Sequence, residues 1–223
     1  MSLIHPISLN ATIDACSEEF FYGKPIPVPL RKDLAAMLIN RQILSGSNSG
    51  FFIPFAAEPK DQIRMFTGET LHTELASRHL PLIEATRLLV LLAVENEASH
   101  KSTQLANQRM SRMCYSRFCS SGECRALTVA YMRYMIVQDT PEANERLSQF
   151  LEHLKAQRDG KGRWRGFPYH YTLLMLSELS EPLARSELKY AHPILEKLAG
   201  QAKPEEPCVD RRQAIIRTIL SRS

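Results

Sequence analysis

The sequence predicts an all-α fold, and three observations carry that reading. Apolar residues recur at helical spacing along most of the 223-residue chain. Glycine, proline and Ser/Thr caps punctuate those runs where helices should start and stop. No window alternates polar and apolar residues convincingly over the length of a strand.

Taken in order, residues 31–44 contain Leu34, Met37, Leu38 and Ile39 at helical spacing and stop at Ser45-Gly46. Residues 69–79 follow Gly68, and Pro81 should end them, because a helix interior rejects proline. Residues 82–98 carry Ile83, Leu88, Leu89, Leu91, Leu92 and Val94 on nearly every side, the pattern of a central helix. Residues 101–113 are weakly amphipathic, and 123–138 present Leu127, Ala130, Tyr131, Tyr134 and Met135. Thr140-Pro141-Glu142 supplies a cap, a first-turn proline and an acid at the positive helix end. The helix that follows carries Leu147, Phe150, Leu151 and Leu154. Helices at 171–179, 182–191 and 193–199 come next, the last entered through Pro193 and closed by Gly200. After a break at Lys203–Pro207, Ile215, Ile216, Ile219 and Leu220 stripe a helix over 209–220. Phe51-Phe52-Ile53 and Ile26–Leu30 are the best strand candidates, but the second alternates with proline and reads as extended chain. The expectation is about ten helices in a single all-α domain over residues 1–223.

Composition removes several function classes. Hydrophobic residues make up 44% and charged residues 23%, ordinary for a globular domain. The net charge of +4 is scattered apart from Arg163/Arg165 and Arg211/Arg212, with no concentrated basic stripe of the kind nucleic acid requires. The longest apolar run, Leu88 to Val94, is far short of the ~20 residues of a membrane span. The start, Met-Ser-Leu-Ile-His-Pro, lacks the charged and apolar regions of a secretory signal. Five cysteines read as reduced thiols. The expected location is cytoplasmic.

A loose internal repeat is visible. Ile39-x-x-Gln42, Leu105-x-x-Gln108 and Leu154-x-x-Gln157 each have a neighbouring arginine, and Phe51/Phe52, Phe118 and Trp164 follow seven to ten positions later. The pattern points to stacked helical hairpins, in which an aromatic ring covers a polar group at the helix end. The third copy is the most informative: a basic, glycine-broken loop, Gly160-Lys161-Gly162-Arg163-Trp164-Arg165-Gly166, enters Phe167-Pro168-Tyr169-His170-Tyr171.

Residues 147–179 resemble the repeat of the prenyltransferase and squalene–hopene cyclase superfamily: Gln157, Gly162 and Trp164 in the turn, then a tyrosine-rich helix. Four residues separate Gln157 from Gly162 where the family has three. The resemblance implies an α/α toroid, incomplete at this length, with helix ends lining a central cavity. It does not carry the family's chemistry with it. The acidic Asp-x-Asp-Asp and Asp-Asp-x-x-Asp motifs are absent. Cys208-Val-Asp210 reverses the order of the prenyltransferase zinc ligands and follows His170 instead of preceding it.

Cys114, Cys119 and Cys124 are the other conspicuous set. Five-residue spacing turns side chains ~140° apart on a helix, so they could converge only if the Ser120-Ser121-Gly122 turn redirects them. No metal ligand, cofactor or catalytic residue is assigned. The expected ligand-binding residues are Arg163, Arg165, Tyr169, His170 and Tyr171, gathered at the mouth of the last hairpin, with Trp164 as a buried plug. The function expected is binding of an apolar or isoprenoid-like small molecule in a central cavity. The alternatives are a prenyltransferase- or cyclase-like enzyme with altered groups and a helical scaffold for a protein partner.

Overall fold

The computed structural model describes residues 3–58, 63–200 and 208–222. The protein is all-α: 65% is helical, and among the described residues the remaining regular structure is one two-stranded ribbon. The order is α1 (Leu9–Phe21), α2 (Val28–Asn40), β1 (Ile63–Arg64), β2 (Thr70–Leu71), α3 (Glu74–Leu92), α4 (Glu97–Met110) and a 3-10 helix (Cys114–Arg117). α5 (Cys124–Gln138), α6 (Pro141–Ala156), α7 (Tyr169–Glu178), α8 (Glu181–Ala199) and α9 (Val209–Leu220) follow. Where the sequence suggests one domain, contacts divide the chain into two compact units. The first is built on α1–α4, the second on α5–α9 with residues 64–70, and the division falls inside the 3-10 helix. The expected break at 203–207 lies outside the described residues.

Four helices depart from the sequence expectation. α1 is not evident from apolar periodicity, because its inner face mixes Leu9, Ile13 and Cys16 with Thr12 and Ser17. Its start is fixed instead by Ser8, whose hydroxyl accepts from the Ala11 amide at 3.0 Å. α2 begins inside the proline run expected to be extended: Pro27 is its N-cap and Pro29 sits in the first turn, where no N–H is needed. Pro81 and Pro193 do not end helices, since α3 and α8 run through them. An interior proline costs about 3 kcal/mol. In α3 the burial of Leu80, Leu82, Ile83, Leu88 and Leu92, each worth about 1.5–3 kcal/mol, outweighs that cost.

The repeat is real at two of its three positions, and its register is shifted. After α2, Ile53 N donates to Arg41 O (2.7 Å) and Ile43 N to Phe51 O (2.8 Å), enclosing a bridge between Gln42 and Phe52. After α6, Arg165 N donates to Gln157 O (2.8 Å) and Asp159 N to Arg163 O (3.0 Å), enclosing a bridge between Arg158 and Trp164. Arg41-Gln42 therefore corresponds to Gln157-Arg158, with arginine and glutamine exchanged. The glycine two residues before each bridged aromatic, Gly50 or Gly162, has positive φ and abuts a later helix of its own unit. Gly50 lies against Leu105 and Arg109 of α4, and Gly162 against Tyr190 and Ile194 of α8. Leu105 to Gln108 form no such turn, since α4 continues through them to Met110.

Three helix pairings recur in the two units, while α2 on α3 belongs to the first alone and α5 on α6 to the second. α1 packs on α3 and α2 on α4, with α3 on α4; α5 packs on α7 and α6 on α8, with α7 on α8. In the second unit α9 packs on α7 and α8. Arg211 and Arg212 of α9 donate to the carbonyls of Phe66 (3.1 Å) and Thr67 (2.6 Å) in the 64–70 segment. Pro168 cannot cap α7 through a side chain, and Glu69 does so from that segment, accepting from the amides of His170 (3.1 Å) and Tyr171 (3.2 Å).

Alanine at Gly50 or Gly162 should be markedly worse than alanine at Gly46 or Gly160. All four have positive φ, which costs a side chain about 1–2 kcal/mol. A Cβ at Gly50 would lie 2.9 Å from the Leu105 carbonyl oxygen and one at Gly162 2.9 Å from Ile194 Cγ2, whereas Gly46 and Gly160 have open space. The expected difference is about 1–3 kcal/mol by chemical denaturation. Equal losses within each pair would mean that the turns are not docked on α4 and α8.

Candidate functional site

The loop Gly160–Gly166 is built around a buried charge. Trp164, 3% exposed, donates its indole N–H to Glu187 Oε2 at 2.8 Å. Arg158 meets the same carboxylate from the other side, Nε to Oε2 at 3.1 Å and an Nη to Oε1 at 2.6 Å. The tryptophan is thus the expected plug, with a carboxylate partner on α8.

Of the five expected binding residues, three stay together and two do not join them. Arg163, exposed, stacks its guanidinium 4.4 Å from the Tyr169 ring centre, and the Tyr169 and His170 rings lie 5.3 Å apart. These three are neighbours. Tyr169 is buried, which pushes its phenol up to about 12, and its hydroxyl has no hydrogen-bond partner among the described residues. His170 is half-buried with Nδ1 4.0 Å from Glu69 Oε1. Tyr171 points elsewhere: it is fully buried, its hydroxyl accepts from Arg133 at 2.9 Å, and Arg133 pairs with Glu178 at 2.7 Å. Arg165 is exposed. Most of this constellation therefore serves the packing of α7 against its own unit.

A better-formed cleft lies in the first unit, where the sequence reading places no site. Leu9 and Asn10 of α1, the 51–54 segment, Ile43 and Ile63, and Glu74, Ser77, Arg78 and Pro81 of α3 enclose about 300 Å³. Its wall is Phe51, Phe52, Ile53, Pro54 and Pro81, and Ile53 is 48% exposed. Polar groups stand on one side: Arg78 pairs with Glu74 at 3.8 Å and donates to Asn48 at 2.9 Å. Pro81 has no N–H to offer the Ser77 carbonyl, so the α3 wall of the cleft contains a break in its hydrogen-bond ladder. A larger cleft of about 680 Å³ lies between α2 and the α3–α4 turn. Its lining mixes alanines with Val28, Ile39, Leu92 and Val94, and carries Arg31, Lys32 and Glu95.

Two buried titratable groups brace the smaller cleft. Burial would raise the Glu58 carboxyl, but donors from Asn10, Leu9, Phe55 and Ser8 outweigh it and hold the group below its ordinary range. His79 contacts the Phe51 ring (4.9 Å between centroids), and its Nδ1 lies 3.0 Å from the Tyr115 hydroxyl. Burial first, and then the charges of Arg78 and Arg109, bring it from 6.5 down to about 4.

The signal for this cleft was present in Phe51-Phe52-Ile53-Pro54, four apolar residues following a Ser/Gly/Asn-rich turn. Taken as a strand candidate, the run gave no hint of its partners on α1 and α3. No protein-family model, curated protein or solved structure matches the chain. Among the described residues no helix is long and apolar enough to cross a membrane.

His79 gives the protein an acid sensitivity with a defined window. Its folded pKa lies below its unfolded value, so between pH 6.5 and about 4 the unfolded chain takes up a proton that the folded chain refuses. Stability should fall as pH is lowered through that window, and the fall should be smaller in His79→Gln. Glu58 adds its own loss only lower, as pH drops through its depressed carboxyl pKa. Melting temperatures measured across this range check it; identical slopes in both proteins would show that His79 is not held neutral.

Proposed function

We propose that the protein binds a small apolar molecule, and that the cleft between α1, residues 43–54 and α3 is where it does so. One observation carries the reading: an aromatic and proline-walled space of about 300 Å³ with Glu74, Ser77 and Arg78 of α3 and Asn10 of α1 among its lining. Ligand sites are typically ~300–1,000 Å³, apolar, with a few polar groups that fix orientation. At the lower end of that range the occupant is a compact ring or a short isoprenoid-like chain carrying one polar end. The larger cleft has no aromatic ring in its lining and carries three charged side chains, Arg31, Lys32 and Glu95.

The twice-used bridged turn supports the helical-hairpin part of the superfamily resemblance. An α/α toroid with a central cavity remains the extension of that reading, and no catalytic group is assigned to it.

The test uses the dye 1-anilinonaphthalene-8-sulfonate, whose rings match the aromatic wall and whose sulfonate matches Arg78. Titration of the full chain should show one saturable site, with the dye displaced by the ten-carbon isoprenoid alcohol geraniol. Ser77→Trp, which fills the cleft from α3, should weaken dye binding at least about tenfold, or 1.4 kcal/mol, without lowering the melting temperature. Unchanged binding in that variant would place the dye elsewhere and remove the proposal.

A further inference from the structure

Between α4 and α5 the chain makes a tight excursion that brings three thiols together. Cys114 opens the 3-10 helix, Cys119 lies in the turn that follows, and Cys124 is the first residue of α5. Their sulfur atoms all lie within 4.8 Å of one another. A regular helix would turn them ~140° apart, so the intervening chain creates the convergence. Phe118 takes φ +60° and Gly122 φ +48°, two left-handed residues on either side of Cys119 that fold the run back on itself. That conformation is unfavourable for a residue with a side chain. The Phe118 ring, 5.7 Å from Phe150 and 6.0 Å from His153, anchors it.

Hydroxyls then fix the run at both ends. Thr128, in the second turn of α5, sits within hydrogen-bonding distance of the carbonyls of Cys119 (3.0 Å) and Cys124 (2.9 Å). Ser116 does the same to the carbonyls of Ser111 (3.1 Å) and Met113 (2.7 Å). The three thiols occupy eleven consecutive residues, so their convergence is a property of this one stretch of chain. Cys114 is exposed and the other two half-buried, which leaves the cluster reachable from solvent. Cys16, by contrast, is enclosed in α1, where burial first and Glu19 second push its thiol up to about 12.

Three sulfurs this close are a soft donor set. Zn–S bonds of ~2.3 Å at tetrahedral angles separate sulfurs by ~3.8 Å, so shifts of about an ångström or less would close the cluster on an ion. We infer that Cys114, Cys119 and Cys124 form a three-thiolate site for a single thiophilic d10 cation, Cu⁺ or Zn²⁺. On binding, each thiol releases its proton to solvent and donates a sulfur lone pair; no oxidation state changes. Three thiolates complete a trigonal Cu⁺ site, whereas Zn²⁺ takes a water as fourth ligand on the open side. Thr128 is a positioning residue, holding the Cys119 loop against the start of α5.

The reduced full-length protein is titrated anaerobically with Zn²⁺ and, separately, with Cu⁺, each in competition with a chromophoric chelator. At least one ion should bind at one per chain, and the two arms identify which. Bound metal should protect Cys114, Cys119 and Cys124 from alkylation, as mapped by mass spectrometry, while Cys208 stays reactive. Cys119→Ser should weaken binding at least about a hundredfold and Thr128→Val about tenfold, the latter with an unchanged melt; Cys208→Ser should bind as the parent does. If Cys119→Ser does not fold, the protection map on the parent protein decides alone. Failure of both ions to bind at one per chain, unchanged alkylation of Cys119, or undiminished binding in folded Cys119→Ser would each overturn the site.

Discussion

Glu187 lies inside the second unit with its side chain 2% exposed, between the guanidinium of Arg158 and the indole N–H of Trp164. A carboxylate taken out of water without partners would cost several kcal/mol. Here three N–H bonds surround it, and bonds to charged groups contribute about 1.5–3 kcal/mol each. The consequence is geometric. Both arms of the 157–166 turn are tied to one residue of α8, and Gly162 comes into contact with that helix at Tyr190 and Ile194. Removing the carboxylate's partners would therefore loosen the exit of α6 and the entry to α7 together.

The first unit meets the same constraint with a neutral group. The Gln42 amide donates to the carbonyls of Gly50 (3.3 Å) and Ser102 (3.0 Å), tying its turn to α4, while its Oε1 is buried without a partner among the described residues. Neutral bonds of this kind are worth about 1 kcal/mol each, so this turn is held less firmly than its counterpart. It is also longer, with residues 44–50 inside it where the other has only 160–162. Arginines reinforce it from outside: Arg41 reaches the Ile53 and Pro54 carbonyls, and Arg109 those of Ser47 and Ser49. The weaker, longer copy is the one whose far arm, Phe51 to Pro54, walls the apolar cleft. A wall of this kind can give way to a ligand at less cost than the ion-paired turn of the second unit.

Legibility in the sequence followed the physics of each element. Thr140-Pro141-Glu142 marked α6 because capping is local chemistry, and the isoleucine stripe of α9 marked an amphipathic helix. Pro81 and Pro193 misled because the cost of an interior proline is local, whereas the burial that outweighs it comes from residues distant in sequence. The bridged turns were visible through their glycine and aromatic residues. Their register was not, since arginine and glutamine can each occupy the buried position. Residues 163–171 drew attention by concentrating charge and aromatic rings, but that concentration mostly builds a capped, ion-paired helix entry. The cleft stayed hidden because its walls are ordinary apolar residues from α1, a turn, the start of β1 and α3, with no spacing to connect them. The cysteines were the reverse case, in which the need for a redirecting turn at 120–122 could be stated from spacing alone.

The dependence of the second unit on its buried charge is tested most directly by a double-mutant cycle at Arg158 and Glu187. Arg158→Met alone should destabilise the protein by about 3–5 kcal/mol, because it strips the main partner from a buried carboxylate. Adding Glu187→Met should recover most of that loss, leaving roughly the 1–3 kcal/mol of an unsatisfied Trp164 N–H. A coupling of at least about 2 kcal/mol by chemical denaturation is the predicted result. Strictly additive losses, or an Arg158→Met variant as stable as the parent, would contradict the account.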